Sequence, residues 1–340
     1  MPSLQRKNIL YDAHARDAYI RGVNSLKLKR SRYTYRDLGV DGAVQPDQKV
    51  TVYDLFVLWH IRAANTPIPV GGDMLHRNAA HRGPVFLPWH RLMLVMLEAQ
   101  IQVAINESTF RLPYWDWSAD GDSGNPAGAQ IWTNAYMGPQ GDPVREGPFA
   151  FTGGANSFWI RIEELEGRAV YTNRGLKRAF LNDPRVPWRL PTSAEVKSAL
   201  EFAPPADRPD AKPEDRYDVL DFSAVSDGFR GRLEGFTPAT VNSRPWLHNQ
   251  VHAWVGGDML PMSSPNDPVF FLHHCNVDRL WESWMSHYGR IYSPDGTASD
   301  TYNGERTDDG LFGPPPWDER LLRITDVLDM RSLYTYDKLV

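Results

Sequence analysis

His81-Arg-Gly-Pro-Val-Phe86-Leu-Pro-Trp-His90-Arg-Leu-Met-Leu94-Val-Met-Leu97-Glu98, continued by Ala-Gln-Ile101-Gln-Val-Ala-Ile105, is the stretch on which the fold turns. Pro88 suits the first turn of a helix, where its missing N–H would be unpaired in any case, and no other breaker follows until Asn106. Leu94, Leu97, Ile101 and Ile105 recur at i, i+3, i+4 steps, and His90 extends that stripe backward. The spacing predicts a helix over 88–106 that enters the core and carries a histidine inward.

Three further helices are expected around it. Thr51-Val-Tyr-Asp54 reads as a capped start of a helix over 51–65 that holds His60. Another, over 243–255, ends at Gly256-Gly257, and a fourth, over 268–288, ends at Gly289. The long Gly-, Pro- and Asp-rich stretch between, about 118–234, suggests short helices near 174–181 and 193–202 and otherwise irregular chain. The end of the chain, Arg331-Ser-Leu-Tyr-Thr-Tyr336, is β-prone and reads as a peripheral layer. The expected fold is mainly α, a four-helix bundle with long loops and a few short peripheral strands, forming a single domain over 1–340.

Composition narrows the function. The 340 residues carry 37 Lys plus Arg against 42 Asp plus Glu, a net charge of −5 without a long basic run, so a nucleic-acid groove has no electrostatic support. No segment reaches the ~18 apolar residues of a membrane helix, and the first residues lack a signal-peptide stretch. The expected location is the cytoplasm, or outside the cell after export with a partner. One cysteine, Cys275, excludes an intramolecular disulfide framework and a Cys-rich metal site.

The ten histidines carry the chemistry, because eight of them fall into two groups that coincide with the predicted helices. His248-Asn-Gln-Val-His252 places two imidazoles one helical turn apart on one face. Alone, such a pair is as well explained by packing as by a metal. The neighbours change that: Asp267-Pro-Val-Phe270-Phe-Leu-His273-His274-Cys-Asn-Val-Asp278 adds a third candidate on the next helix, and His60, His81 and His90 repeat the count elsewhere. Three neutral imidazoles per ion suit copper or zinc. Di-iron carboxylate bundles need several Glu ligands, and metalloproteases need the Glu that His248-Asn-Gln-Val-His252 lacks. Paired all-nitrogen sites favour redox copper, since two adjacent Cu(I) ions together supply the two electrons that one ion lacks.

The stretches from His81 to Glu98 and from Asp267 to Asp278 resemble, in order, the two copper signatures of the tyrosinases, joined by His248-Asn-Gln-Val-His252. Arg6-Lys-Asn and Tyr334-Thr-Tyr336 resemble the arginine and Tyr-x-Tyr by which that family clasps its ends, so the resemblance spans nearly the whole chain. It implies two copper ions, one held by His60, His81 and His90 and the other by His248, His252 and His274, with dioxygen as co-substrate. His273 is assigned a packing role behind the ligands, and His14, His76 and His287 fall outside the signatures. Where some relatives bind a ligand ring through a cysteine, this chain has Ala79, so His81 is expected to be held by backbone packing alone.

The implied activity is O2-dependent hydroxylation of monophenols and oxidation of o-diphenols to o-quinones, with small phenols as substrates. In the family an Asn after the first histidine of the second site and a Glu in a Leu-Glu-Gly-aromatic segment orient a proton-accepting water. Asn249 and Glu234 stand at those places, with surface exposure the plain alternative for Glu234. Met262 or Ser263 is expected near the pocket gate, Ala253 and Phe270 at the substrate pocket, and Asp278 either bonded to a ligand histidine or paired with Arg91 or Arg279. A separate copper chaperone is an expected partner. The alternatives are a catechol or o-aminophenol oxidase, a hemocyanin-like oxygen carrier, which would need a covering domain where only four residues follow Tyr336, and a zinc protein on the same scaffold.

Overall fold

A computed structural model describes residues 4–73, 77–181, 189–202, 216–218, 228–236, 247–316 and 322–340. Strand β1 (Gln5–Arg6) leads to helix α1 (Ala13–Leu28), whose Asp12 cap accepts the Ala15 N–H at 2.8 Å. Strands β2 (Arg30–Thr34) and β3 (Lys49–Thr51) form an antiparallel pair that delivers the chain to α2 (Val52–Ala64). Thr51 caps α2 as expected, its hydroxyl accepting the Asp54 N–H at 3.1 Å. Helix α3 (Phe86–Ile105) starts two residues before Pro88 and stops where Asn106 turns left-handed at φ 54°.

The middle of the chain departs from expectation. After α4 (Trp117–Asp122), strands β4 (Trp159–Leu165) and β5 (Arg168–Gly175) form an antiparallel hairpin. The helix expected near 174–181 is instead the end of β5 and extended chain, in which Arg178 bridges to Gly141. Isolated from its neighbours, that segment offers no periodicity to distinguish the two, and the buried Arg178–Asp267 ion pair at 2.7 Å fixes the extended form. The second expected helix is present as α5 (Ser193–Leu200), closed by a capping box between Thr192 and Glu195.

Next come α6 (Phe229–Glu234), α7 (Leu247–Val255) and α8 (Val269–Tyr288). Positions 243–246 of the predicted third helix lie outside the described residues. Gly256 and Gly257 end α7 at φ 64° and 56°, and Gly289 ends α8 at φ 88°. Helix α9 (Ile324–Leu328) and strand β6 (Thr335–Tyr336) complete the described elements, and β6 pairs in parallel with β1. Helix α3 packs between α1 and α8, and α7 lies on α8. At Gly22 of α1 an added Cβ would sit 2.4 Å from the Ile101 side chain, so the close α1–α3 approach depends on a residue without one.

Beneath the bundle lies a buried ion network. Asp278 accepts Arg91 Nε at 2.6 Å, Arg6 Nη1 at 3.2 Å and the hydroxyls of Tyr334 and Tyr336 at 2.7 and 2.5 Å. Of the expected partners Arg91 is the one found, while Arg279 pairs with Asp116. Arg6 also binds Glu98 at 3.0 Å and lies 3.5 Å from the Tyr334 ring centre, so β1, α3, α8 and β6 meet at one buried cluster. Burial works against ionisation of Asp278, but Arg91 and Arg6, with the two tyrosine hydroxyls, more than offset it and hold the carboxyl below its ordinary value.

Candidate metal centre

His60 sits in the last turns of α2, His90 early in α3, His248 and His252 one turn apart on α7, and His274 on α8. His81 comes from the loop before α3. One ring nitrogen from each of His60, His81 and His90 falls within 4.8 Å of the others, and the same holds for His248, His252, His273 and His274. The groups face each other, with His90 stacked on His274 at 4.2 Å and 10°.

Local hydrogen bonds decide which nitrogen each ring offers. A carbonyl oxygen only accepts, so a ring nitrogen facing one must carry the proton. His60 Nδ1 donates to Met262 O at 2.6 Å, His90 Nδ1 to Phe86 O at 2.8 Å and His252 Nδ1 to Met259 O at 2.6 Å. His248 Nδ1 lies 2.9 Å from Asn249 Oδ1. Nε2 of His60, His90 and His248 is left buried without a hydrogen-bond partner, as are Nδ1 of His81 and Nδ1 of His274. His252 Nε2 and His274 Nε2 face each other at 3.5 Å, close to the ~3.3 Å between two nitrogens bonded at ~2.0 Å to one tetrahedral ion.

Orphaned lone pairs of this kind are costly unless a cation takes them. Burial drives every one of these imidazoles toward the neutral form, to a pKa of about 3 for His60 and about 4 for His252, as metal ligation requires. By donor chemistry, orientation and protonation, the two groups fit two copper ions.

Backbone packing alone does not hold His81. The Asn78 side chain accepts the backbone N–H groups of His81 and Ala80 at 2.8 and 3.1 Å, and the Asn78 backbone N–H donates to His81 O at 3.1 Å. Ala79 is buried at the position where a thioether would form. Behind this loop Arg77 pairs with the buried Glu305. His76 lies outside the described residues.

Over the histidines opens a cavity of about 200 Å³. Asn249, Ala253 and Met262 are among the residues that line it. Ser263 does not: its side chain is fully buried with an unpartnered hydroxyl, and Ser264 lines the cavity in its place. Phe270 likewise belongs beneath the site, its ring 4.1 Å from that of His274 and 5.2 Å from that of His60. Both corrections have one cause, since which side chain faces the opening is set by the 3-10 turn at Ser264–Asn266 and by the roll of α8, neither of which spacing reveals.

Glu234 is fully buried and is not among the lining residues. One carboxylate oxygen accepts the Arg82 N–H at 2.6 Å, the other accepts Arg230 Nη1 at 2.7 Å, and the Glu234 carbonyl lies 3.3 Å from His248 Nδ1. Burial pushes its carboxyl above the ordinary range, against the pull of Arg230. Sequence reasoning missed Arg82 and Phe236, which line the cavity together, the guanidinium 4.9 Å from the ring centre.

Comparison with known proteins agrees with this geometry. Residues 50–287 match the profile of the common central domain of tyrosinase. A tyrosinase of Streptomyces glaucescens is 37% identical, the alignment covering 84% of this chain and 88% of that one. Grixazone synthase of Streptomyces griseus is 32% identical over 84% of this chain and 90% of its own. Among solved structures, a polyphenol oxidase variant from Thermothelomyces thermophila superposes with a TM-score of 0.65 over 98% of this chain and 88% of that chain, at 20% identity, which establishes the shared fold. The chain belongs to the tyrosinase family of copper-dependent phenol oxidases, which work with a pair of copper ions and dioxygen. Among the described residues no helix is long and apolar enough to cross a membrane.

Proposed function

We propose that this protein hydroxylates monophenols to o-diphenols and oxidises these to o-quinones, with one copper ion on His60, His81 and His90 and the other on His248, His252 and His274. The observation that carries the reading is a pair of imidazole groups facing one another beneath a cavity, with Nε2 of His60, His90 and His248 buried without a hydrogen-bond partner and Nε2 of His252 and His274 turned toward each other.

When bound, the copper pair supplies the electron transfers that couple reduction of O2 to oxidation of the phenol. The chain's own residues do the rest. Carbonyls of Met262, Phe86 and Met259 fix three imidazoles in the tautomer that offers Nε2, and the Asn249 oxygen fixes a fourth. A phenol, with its ordinary pKa of ~10, reaches the site protonated and must lose that proton to bind a metal. Asn249, at the cavity wall with its amide nitrogen still available, and Glu234, whose two oxygens each accept one bond and keep a second lone pair, hold a water that takes it.

The assay follows oxygen consumption and product formation by copper-loaded protein with tyrosine, tyramine, a catechol and an o-aminophenol, for the natural chain, Glu234→Gln and Asn249→Ala. Monophenol turnover without a catechol primer, lowered at least ~100-fold by either substitution while catechol oxidation falls far less, supports both the activity and the proton role. Turnover of catechols alone withdraws the hydroxylation. Reversible O2 binding with no turnover identifies a carrier instead.

The reading extends to the chain as a whole, one catalytic domain over 1–340 whose two ends are tied by β1 and β6. Because four of the six imidazoles are buried to within a few per cent and His81 nearly so, with His252 alone part-exposed, we assign copper delivery to a separate protein partner, acting in the cytoplasm or during export together with this chain. Apoprotein that reaches full copper content from dilute copper salts as fast as the cavity exchanges water has no need of that partner.

A further inference from the structure

The second histidine group contains four imidazoles, and the function above uses three. His273 is fully buried. Its ring lies 5.1 Å from that of His248 at 20°, and 5.0 Å from those of both His252 and His274. Neither of its nitrogens has a hydrogen-bond partner. A neutral imidazole carries one donor and one acceptor, and leaving a buried polar group unmade costs about 1–3 kcal/mol, a penalty that Leu or Phe at the same place would avoid. Among the described residues, the further ring beside it is that of Trp117, 6.2 Å away. Among the described residues the first group has three imidazoles and no fourth.

We infer that His273 is a fourth ligand of the second site while the first site is still empty. Four nitrogens converging from within 4.8 Å suit Cu(II), which favours nitrogen-rich tetragonal surroundings, and no hydrogen bond resists rotation of the His273 ring toward the ion. The first copper ion to arrive is therefore captured by the group on α7 and α8, and the three-imidazole group on α2, α3 and the His81 loop fills second. The order of loading is built into the asymmetry of the two groups.

This inference rests on the assignment of His248, His252 and His274 as ligands. To test it, metal-free full-length protein is titrated with Cu(II) and each step is examined by electron paramagnetic resonance, with nitrogen couplings counted in frozen samples. The expected first equivalent gives one mononuclear spectrum with four coupled imidazoles and binds at least ~10-fold more tightly than the second, about 1.4 kcal/mol. In His273→Leu the first equivalent divides between the groups and the nitrogen count falls to three, while saturation remains at two ions per chain. His90→Ala disables the first group, leaves His273 in place, and is expected to keep the four-nitrogen signal, so the result does not depend on how well His273→Leu folds. Three coupled nitrogens on the first equivalent in both the natural chain and His90→Ala overturn the role of His273 and leave the ligand assignment standing. A chain that takes up no copper overturns the ligand assignment, and this inference with it.

Discussion

Among the described residues that line the cavity Arg82 is the one charged side chain, and its guanidinium lies 4.9 Å from the Phe236 ring centre. A cation at the mouth of a partly desolvated pocket favours phenols that carry a carboxylate. Arg82→Gln is therefore expected to raise KM for tyrosine several-fold, by roughly 1 kcal/mol, while leaving KM for tyramine unchanged or lower. Equal changes for both substrates would remove Arg82 from recognition. Helical periodicity made the shared face of His248 and His252 legible, whereas the full set of six proposed ligands, with His81 in a loop, was legible only through the family resemblance. Arg82 was not, because its place depends on a left-handed backbone at φ 66° and on the Arg82 N–H bond to Glu234, a partner 152 residues away. Glu234 could be recognised by its segment, but its burial and its pairing with Arg230 could not.

Helix α7 must stop abruptly, since His252 donates to the carbonyl of Met259 in the very next turn. Gly256 makes the stop, and an added Cβ there would meet the Ala179 carbonyl oxygen at 2.3 Å in a backbone already left-handed. Gly256→Ala is expected to destabilise the protein by more than about 1 kcal/mol and, by shifting the 256–262 loop, to weaken copper binding at the sites of His252 and His60. A lower melting temperature with reduced copper content after dialysis checks it; unchanged values for both would count against the loop's role. Gly256-Gly257 and Gly289 were readable as helix ends because their signal is local. The β4–β5 hairpin was hidden for the opposite reason. Trp159–Leu165 and Arg168–Gly175 carry Arg, Glu and Asn at positions where a clean alternation would have named them strands, and each forms because the other lies beside it.

Across the molecule, the cluster around Asp278 joins both ends of the chain to the helices that carry His90 and His274. Asp278→Asn leaves Arg6 and Arg91 buried with one fewer charge partner, which costs about 3–5 kcal/mol and lowers the melting temperature by roughly 5–10 °C. The pH dependence has a definite sign. Because the folded carboxyl titrates below its unfolded value of ~3.9, its stabilisation is complete above that pH and drains away as the pH falls toward the folded value. Melting curves of the natural chain and Asp278→Asn should therefore converge in acid and differ most near neutrality. Copper contributes on the same scale, since a metal present at a hundred times its Kd stabilises the folded state by ~2.7 kcal/mol per site, so chelation is expected to lower the melting temperature reversibly. The clasp of Arg6 on Tyr334 and Tyr336 was visible only through the family resemblance, because no local rule links residues 330 positions apart.

One placement bears on how long such a catalyst survives its own chemistry. Cys275, the chain's single cysteine, has no exposed surface and is packed with its sulfur 3.6 Å from the Leu112 carbonyl and 3.7 Å from the Tyr336 hydroxyl. Quinones are electrophiles, and thiolates are the protein nucleophiles that add to them fastest. An enzyme releasing quinones into its surroundings is bathed in an arylating agent of its own making. With its sole sulfhydryl sealed beneath the terminal clasp, this chain gives its product no thiol to alkylate, and cross-linking through sulfur requires that the clasp open first.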